Sequence, residues 1–220
     1  MTVELAGIEA VLLDVDGTLV DSSYLHAVCW SDAFAELCVA RPTADLHRLI
    51  GMSADRLIET ALADAPPAKQ LRESLERRHG ELYERHWPSL RPLPGARELL
   101  RDLKGRGLTT VLASSAPDEE LEALRKALDA DDWIDAVTTS DDAAAGKPAP
   151  DLLHAALSRA GCAADRALLV GDAVWDGEAA RRAGIRFVGV TCGGTTEAAL
   201  LDAGAEAVFA DPAFLLAHLP

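Results

Sequence analysis

A doubly wound parallel α/β sheet with an all-helical subdomain inserted after its first strand is the fold this sequence predicts, on three observations. An apolar run from Ile8 to Leu13 stops abruptly at Asp14-Val15-Asp16-Gly17, as a strand covered on both faces would. A block of about seventy residues without a convincing strand follows, far longer than a crossover needs. From Gly105 onward strand and helix signals alternate, the pattern of a parallel sheet flanked by helices.

In order, Asp21-Ser22-Ser23 offers an N-cap, and apolar residues at helical spacing run from Tyr24 to Cys38. Ala54 to Ala65 and Ala68 to Trp87 read as further helices, separated by the Pro66-Pro67 break. Arg91-Pro-Leu-Pro-Gly95 interrupts the periodicity before a helix to Lys104, closed by Gly105 and Gly107. Strands are expected at Thr109–Ala113, Ala136–Thr139, Ala167–Val170, Arg186–Val190 and Ala207–Phe209. Helices are expected between them at Asp118–Leu128, Asp151–Ala160, Asp176–Ala183 and Thr196–Ala203, with a short one last. The implied division is a core of residues 1–20 and 91–220 around a helical unit of residues 21–90.

The chain of 220 residues carries a formal charge of -15, with an isoelectric point near 4.7. That balance argues against a non-specific nucleic-acid binder, which gains affinity by releasing counterions through Lys and Arg. An anionic substrate must then be attracted locally, by a metal, a lysine or helix N-termini. Cys29, Cys38, Cys162 and Cys192 show no CxxC pair and no zinc spacing with His, and are expected to be buried free thiols. With no secretory leader and no apolar run long enough to span a bilayer, a soluble, cytoplasmic protein is expected, with no membrane partner. A monomer or weak homodimer is the expected state.

Polar residues collect at the predicted strand ends, where open parallel sheets bind ligands. Asp14 and Asp16 end the first strand, and two carboxylates two positions apart repel unless a cation sits between them; the alternative is a turn rich in Asp and Gly. Ser114 follows Val111-Leu-Ala113, where its hydroxyl could hold a phosphate oxygen or cap the next helix. Lys147 lies in Gly146-Lys-Pro-Ala-Pro150, a stiff loop that limits where its ammonium can go, although a lone lysine in such a turn is often just solvated. Gly171-Asp172 and Asp176 follow Ala167-Leu-Leu-Val170; Asp172 could complete an oxygen-ligand site for magnesium, and Asp176 could support it or serve as helix N-terminal charge.

An acid pair, a hydroxyl, a lysine and a second acid pair in this order resemble the haloacid dehalogenase superfamily of phosphohydrolases over nearly the whole chain. Asp14-Val-Asp16-Gly-Thr18-Leu resembles its first motif, Ser114 the second, Lys147 the third, and Gly171-Asp172 with Asp176 the fourth. The helical insertion resembles the mobile cap of its phosphoglycolate phosphatase and β-phosphoglucomutase branch, with Asp21-Ser-Ser-Tyr-Leu-His26, Trp30 and Leu49-Ile-Gly51-Met-Ser53 as shared features. The resemblance implies a Rossmann-like core and a magnesium-dependent phosphatase acting on a small phosphorylated metabolite. Asp14 would be the nucleophile that forms an aspartyl-phosphate, and Asp16 the general acid and base. Magnesium would be held by the Asp14 carboxylate, the Asp16 backbone carbonyl and Asp172, with Asp176 behind them. Thr18, Ser114, Ser115 and Lys147 would take the phosphoryl oxygens, and His26 is a further substrate-binding candidate, the alternative being a packed or surface histidine.

Four other readings compete. A phosphoglucomutase needs a basic residue soon after Gly51-Met-Ser53, where Ala54 and Asp55 stand and Arg56 comes two places late. A phospho-receiver domain needs no helical insertion, and a dinucleotide-binding module lacks GxGxxG after the first strand, Gly193-Gly194 coming too late. A binding protein on an inactive phosphatase fold is opposed by the presence of every catalytic residue.

Overall fold

The computed structural model describes residues 2–63 and 68–220. β1 (Ala10–Leu13) leads into four helices, α1 (Ser23–Glu36), α2 (Thr43–His47), α3 (Ala54–Ala61) and α4 (Lys69–Tyr83). After α5 (Ala96–Gly105) the chain alternates: β2 (Thr109–Ala113), α6 (Asp118–Leu128), β3 (Ala136–Thr138), α7 (Asp151–Ala160), β4 (Ala167–Gly171), α8 (Val174–Ala183), β5 (Arg186–Val190), α9 (Glu197–Asp202), β6 (Ala207–Phe209) and α10 (Pro212–Leu216). All strand pairs are parallel, in the order β3-β2-β1-β4-β5-β6. The order reverses between β1 and β4, which places a crevice at their carboxyl ends.

The strands are continuously apolar because both faces of the sheet are covered. Val11 and Leu13 of β1, Leu112 of β2, Leu168 and Val170 of β4 and Val188 and Val190 of β5 enter one core, with Leu99 and Leu103 of α5 and Leu121 and Leu124 of α6. The alternate residues, Leu12, Val111, Ala113, Leu169 and Phe187, enter a second core with Leu153 and Ala156 of α7, Ala179 and Ala180 of α8 and Leu200 of α9. Period two along each strand thus sends neighbours to opposite cores. The first core continues into Trp30 and Phe34 of α1, Leu57 and Ile58 of α3, and Leu75 and Tyr83 of α4, so the four helices dock through the same apolar mass.

Several expected elements are shifted. Among the described residues no strand interrupts the segment between β1 and α5. The expected end of α3 at Ala65 and the Pro66-Pro67 break lie outside the described residues. α4 stops at Tyr83 rather than Trp87, and a tighter 3-10 turn, Glu84–Ser89, takes over around Pro88, whose missing N–H and ring disfavour a continued α-helix. α8 begins at Val174, so Asp176 lies in its first turn and its Oδ2 accepts the Ala173 N–H at 3.0 Å. The expected cap of α1 does not form: Ser22 occupies the N-cap position without a side-chain capping bond. The thiols are free, but Cys29 alone of the four is buried and Cys38 is exposed, because Cys38 stands beyond the C-terminal end of α1 with a left-handed φ of 60°. No helix of the described residues is long and apolar enough to cross a membrane.

Candidate active site

The crevice between β1 and β4 gathers residues distant in sequence. The Asp14 N–H donates to the Val170 carbonyl at 2.9 Å, continuing the ladder one residue past β1 and aligning Asp14 with the end of β4. Gly17, at φ 77°, then turns the chain; a side chain there would meet Asp172 Oδ2 at 2.6 Å. Gly193 approaches the same carboxylate so closely that any Cβ would collide with it. Of the late Gly193-Gly194 pair, which fits no dinucleotide loop, Gly193 therefore makes room for Asp172, while Gly194 makes room for Tyr24 and His47.

Asp14, Asp172 and Asp176 are buried, with one carboxylate oxygen of each lying within 4.8 Å of the others. Lys147, fully buried, lies between two of them, its Nζ donating to Asp14 Oδ1 at 2.6 Å and lying 2.7 Å from Asp176 Oδ1. The Thr18 hydroxyl is 3.3 Å from Asp14 Oδ2 and 3.1 Å from Asp172 Oδ1. Burial pushes Asp14 up to about 7 against the pull of Lys147. Burial, then repulsion from Asp14 and Asp176, raises Asp172 well above the usual carboxylate range. Burial alone would lower the Lys147 ammonium, yet Asp14 and Asp176 hold it above the ordinary lysine range. Three carboxylates thus face one ammonium, an imbalance that a divalent cation relieves. Buried, convergent carboxylate oxygens fit magnesium, which takes oxygen ligands and keeps part of its water shell.

Asp16 belongs to a second cluster. Ser22 Oγ donates to its Oδ1 at 2.6 Å, and His26 Nε2 lies 3.2 Å from the same oxygen. The hydroxyl expected to cap α1 therefore serves Asp16. His26 Nε2 is also 3.6 Å from Glu120 Oε1, and its Nδ1 is 3.1 Å from His79 Nε2. Tyr83 stacks on His26 and Trp30 on His79, at centroid separations of 3.8 and 4.0 Å. Burial opposes charge on Asp16, but the bonds from His26 and Ser22 bring its carboxyl below the usual range. Burial likewise opposes charge on His26, yet Glu120 and Asp16 raise it above an ordinary histidine. Burial, aided by the charge on His26, pushes His79 well down. Of the two stacked histidines, the surroundings thus favour charge on His26 and disfavour it on His79.

The structure brings Asp14, Thr18, Lys147, Asp172 and Asp176 together, and Asp16 with His26. The two serines differ. Ser114, fully buried, accepts the Ala116 N–H at 3.1 Å in the turn before α6, whose N-cap position is Pro117 with no side-chain capping bond, so the capping alternative does not form and the hydroxyl proton stays free to donate. Ser115 turns towards the helical segment and donates to the Gly51 carbonyl at 3.3 Å. Glu120, His79 and Ser22 escaped the sequence reading. Glu120 sits in the acidic run Asp118-Glu119-Glu120, which reads as helix N-terminal charge, but it is in phase with buried Leu124 and Leu128. His79 is likewise in phase with Leu75 and Leu82.

A cavity of about 360 Å³ opens on Asp14 and Asp16 and runs beneath α1, α3 and α4, past His26, Trp30, Asp55 and Glu76. Arg56 is not part of its wall. It faces a separate cavity with Met52 and Arg182 and pairs with Glu59 at 3.6 Å.

Comparison with known proteins agrees with this geometry. The haloacid dehalogenase-like hydrolase family model matches residues 8–184. A phosphorylated carbohydrates phosphatase of Thermotoga maritima is 34% identical, over 91% of this chain and 93% of its own length. A phosphoglycolate phosphatase of Caulobacter vibrioides is 31% identical, over 85% and 81%. Among solved structures, a hydrolase from Pseudomonas syringae superposes with a TM-score of 0.91 at 36% identity, covering 95% of this chain and 96% of that one. The chain belongs to the haloacid dehalogenase-like hydrolases. It is accordingly an enzyme of the hydrolase class, on the doubly wound parallel sheet that its sequence predicts.

Proposed function

We propose that this enzyme is a magnesium-dependent phosphatase that hydrolyses a small phosphate monoester through an aspartyl-phosphate on Asp14. The observation that carries the reading is the joining of the strand-end cluster, Asp14 with Lys147, Asp172 and Asp176, to Asp16 on one cavity wall. The relatives' names point the same way.

In this reading a carboxylate oxygen of Asp14 attacks phosphorus in line with the ester oxygen that leaves. Lys147 offsets part of the charge of Asp14 and Asp176, opposes the upward push of burial on Asp14 and aims its carboxylate. Thr18 and the free hydroxyl proton of Ser114 bind phosphoryl oxygens. Asp16 Oδ1 is occupied by Ser22 and His26, which leaves Oδ2 to protonate the departing alkoxide and then to take a proton from the water that cleaves the acyl phosphate. His26 holds the Asp16 carboxylate in place rather than binding phosphate. Magnesium, held by the Asp14 and Asp172 carboxylates and the Asp16 carbonyl, with Asp176 behind them, would offset the charge that otherwise keeps a carboxylate from an anionic ester.

Residues 21–90 act as the cap over a core of residues 1–20 and 91–220. Cap and core touch through Ser115 and the Gly51 carbonyl, His47 Nε2 and the Gly193 carbonyl at 3.0 Å, and Trp175 Nε1 and the Arg48 carbonyl at 3.1 Å. Ser22 and His26 on Asp16, His26 against Glu120 and the shared apolar core bind cap to core as well, and a cap that opens to admit substrate must part the rim contacts and re-form them to exclude water. The place of Arg56 outside the cavity gives no support to a mutase, which must grip a second phosphate.

The test is free-phosphate release from a panel of monoesters. Catalytic release with magnesium, abolished by a chelator and restored by added metal, is expected; absence of turnover on every ester, p-nitrophenyl phosphate included, would overturn the reading.

A further inference from the structure

The cavity on Asp14 and Asp16 is walled by carboxylates. Asp55 at the start of α3, Glu76 of α4 and Glu120 of α6 line it, and its described lining residues include no lysine or arginine. The nearby cations are all engaged elsewhere. Lys147 is enclosed by Asp14 and Asp176, His26 by Asp16 and Glu120, and Arg72 by Glu59 at 2.9 Å. Asp55 takes a hydrogen bond from Ser53 Oγ at 2.5 Å, not from a cation. Burial, and after it the charge on Asp55, raises Glu76 above the usual carboxylate range, although Arg72, paired with Glu59, pulls it the other way. Trp30, stacked on His79, adds an aromatic surface, and Met52 and Leu57 add apolar ones.

We propose that this wall selects the leaving group: it takes an uncharged, polyhydroxylated one and turns away one that carries a carboxylate or a second phosphate, with Asp55 and Glu76 as the specificity-determining residues. The proposal rests on the phosphatase reading above. Carboxylates accept hydrogen bonds from hydroxyls, and the C–H faces of a polyol lie well on indole and aliphatic surface. An anionic leaving group would instead be placed among like charges, an arrangement whose repulsion is greatest at low ionic strength. Discrimination of this kind works chiefly by repulsion of the wrong ligand. It separates this chain from a phosphatase for phosphoglycolate, whose leaving group is a carboxylate, despite relatives of that name.

Two substrate pairs that differ only by CH2OH against carboxylate provide the test: sorbitol 6-phosphate with 6-phosphogluconate, and glycerol 3-phosphate with 3-phosphoglycerate. Free-phosphate assays at low ionic strength should give kcat/KM at least a hundredfold higher for the uncharged member of the six-carbon pair, with the same preference in the smaller pair. Neutralising the wall with Asp55→Asn and Glu76→Gln together should narrow the ratio at least tenfold. Glu76→Gln alone should narrow it in the same direction, which covers the case of a double variant that does not fold. Ratios within threefold, a preference for the carboxylates, or ratios unmoved by the substitutions overturn the selector while brisk phosphate release leaves the phosphatase reading standing. Hydrolysis of p-nitrophenyl phosphate with none of the four esters turned over also overturns the selector alone; inertness towards every ester overturns both.

Discussion

The two sides of the active site are built by different means. The floor is made of residues one step past the ends of parallel strands: Asp14 after β1, Ser114 after β2, Asp172 after β4, with Lys147 reaching in from a loop. Its positions follow from backbone register, which hydrogen bonds fix along the whole sheet. The roof is made of helix-borne side chains, His26, Trp30, Asp55, Glu76 and His79, whose positions depend on how α1, α3 and α4 pack. Glu120 of the core meets them from below. Asp16 joins the two, with its backbone in the floor and its carboxylate bonded to Ser22 and His26. Chemistry common to all phosphate esters suits a rigid floor, and choice among esters suits a roof assembled on separate helices.

The sharpest test of that division is Asp14→Asn. The substitution keeps the shape of the side chain and removes the attacking carboxylate, so kcat should fall by at least about 10⁴-fold on good and poor substrates alike. Folding should survive, because the amide oxygen can still accept the Lys147 hydrogen bond that Asp14 Oδ1 accepts at 2.6 Å. Steady-state kinetics on two unlike esters, with thermal melting as the control, gives the answer. A loss confined to one ester would place Asp14 in substrate choice and break the comparison.

Glu120→Gln should act more mildly and through the roof. Glu120 is the leading charge that raises His26. Its neutralisation lowers His26, so the imidazolium that holds Asp16 loses its proton at a lower pH and the alkaline limb of the rate profile moves to lower pH. A loss of about tenfold at neutral pH is expected, short of the upper end of the roughly 10²–10⁴-fold that a positioned acid–base supplies. A purely structural role for Glu120 would lower the melting temperature and leave the pH profile where it was.

The same contrast explains what could be read in the chain. β2, α6, α7, β5 and β6 have the residue bounds their patterning predicts, because continuous apolar runs and helical periodicity are local signals. Asp14 and Asp172 are legible because a strand end is itself marked in sequence by the switch from apolar to polar, and Lys147 because glycine and prolines frame it in a stiff loop. The roof left fainter traces. That Glu120 and His79 point inwards follows only from their phase with the leucines of their own helices, and that they meet His26 follows only from packing between segments forty or more residues apart. Ser22 shows the limit from the other direction. Its residue type and position suit a cap, and nothing local shows that an acceptor stronger than a backbone amide's needs, Asp16, lies within reach.

Ser22→Ala therefore carries the smallest expected effect and the most discriminating one. An N-cap serine replaced by alanine costs about 0.5–2 kcal/mol through the helix alone, at every pH where the helix is formed. The loss of a hydrogen bond to a charged group is of similar size, about 1.5–3 kcal/mol, so the magnitude cannot separate the two roles and the pH dependence must. The Asp16 carboxyl lies below its ordinary value in the folded protein, in part through Ser22. A carboxyl lowered by folding contributes stability that is present above its unfolded value and lost as the pH falls through the folded one. If Ser22 serves Asp16, the variant should be less stable than the parent at pH 7, and the two melting curves should converge as the pH is lowered through that range. The acid limb of the rate profile should also move upward, with a loss of roughly threefold in kcat at neutral pH. If Ser22 were a cap, the stability gap would be the same at both ends of the range and the profile would not move. Convergence would place this serine, with His26 of α1, among the residues whose task is set by the acid in the floor beneath them.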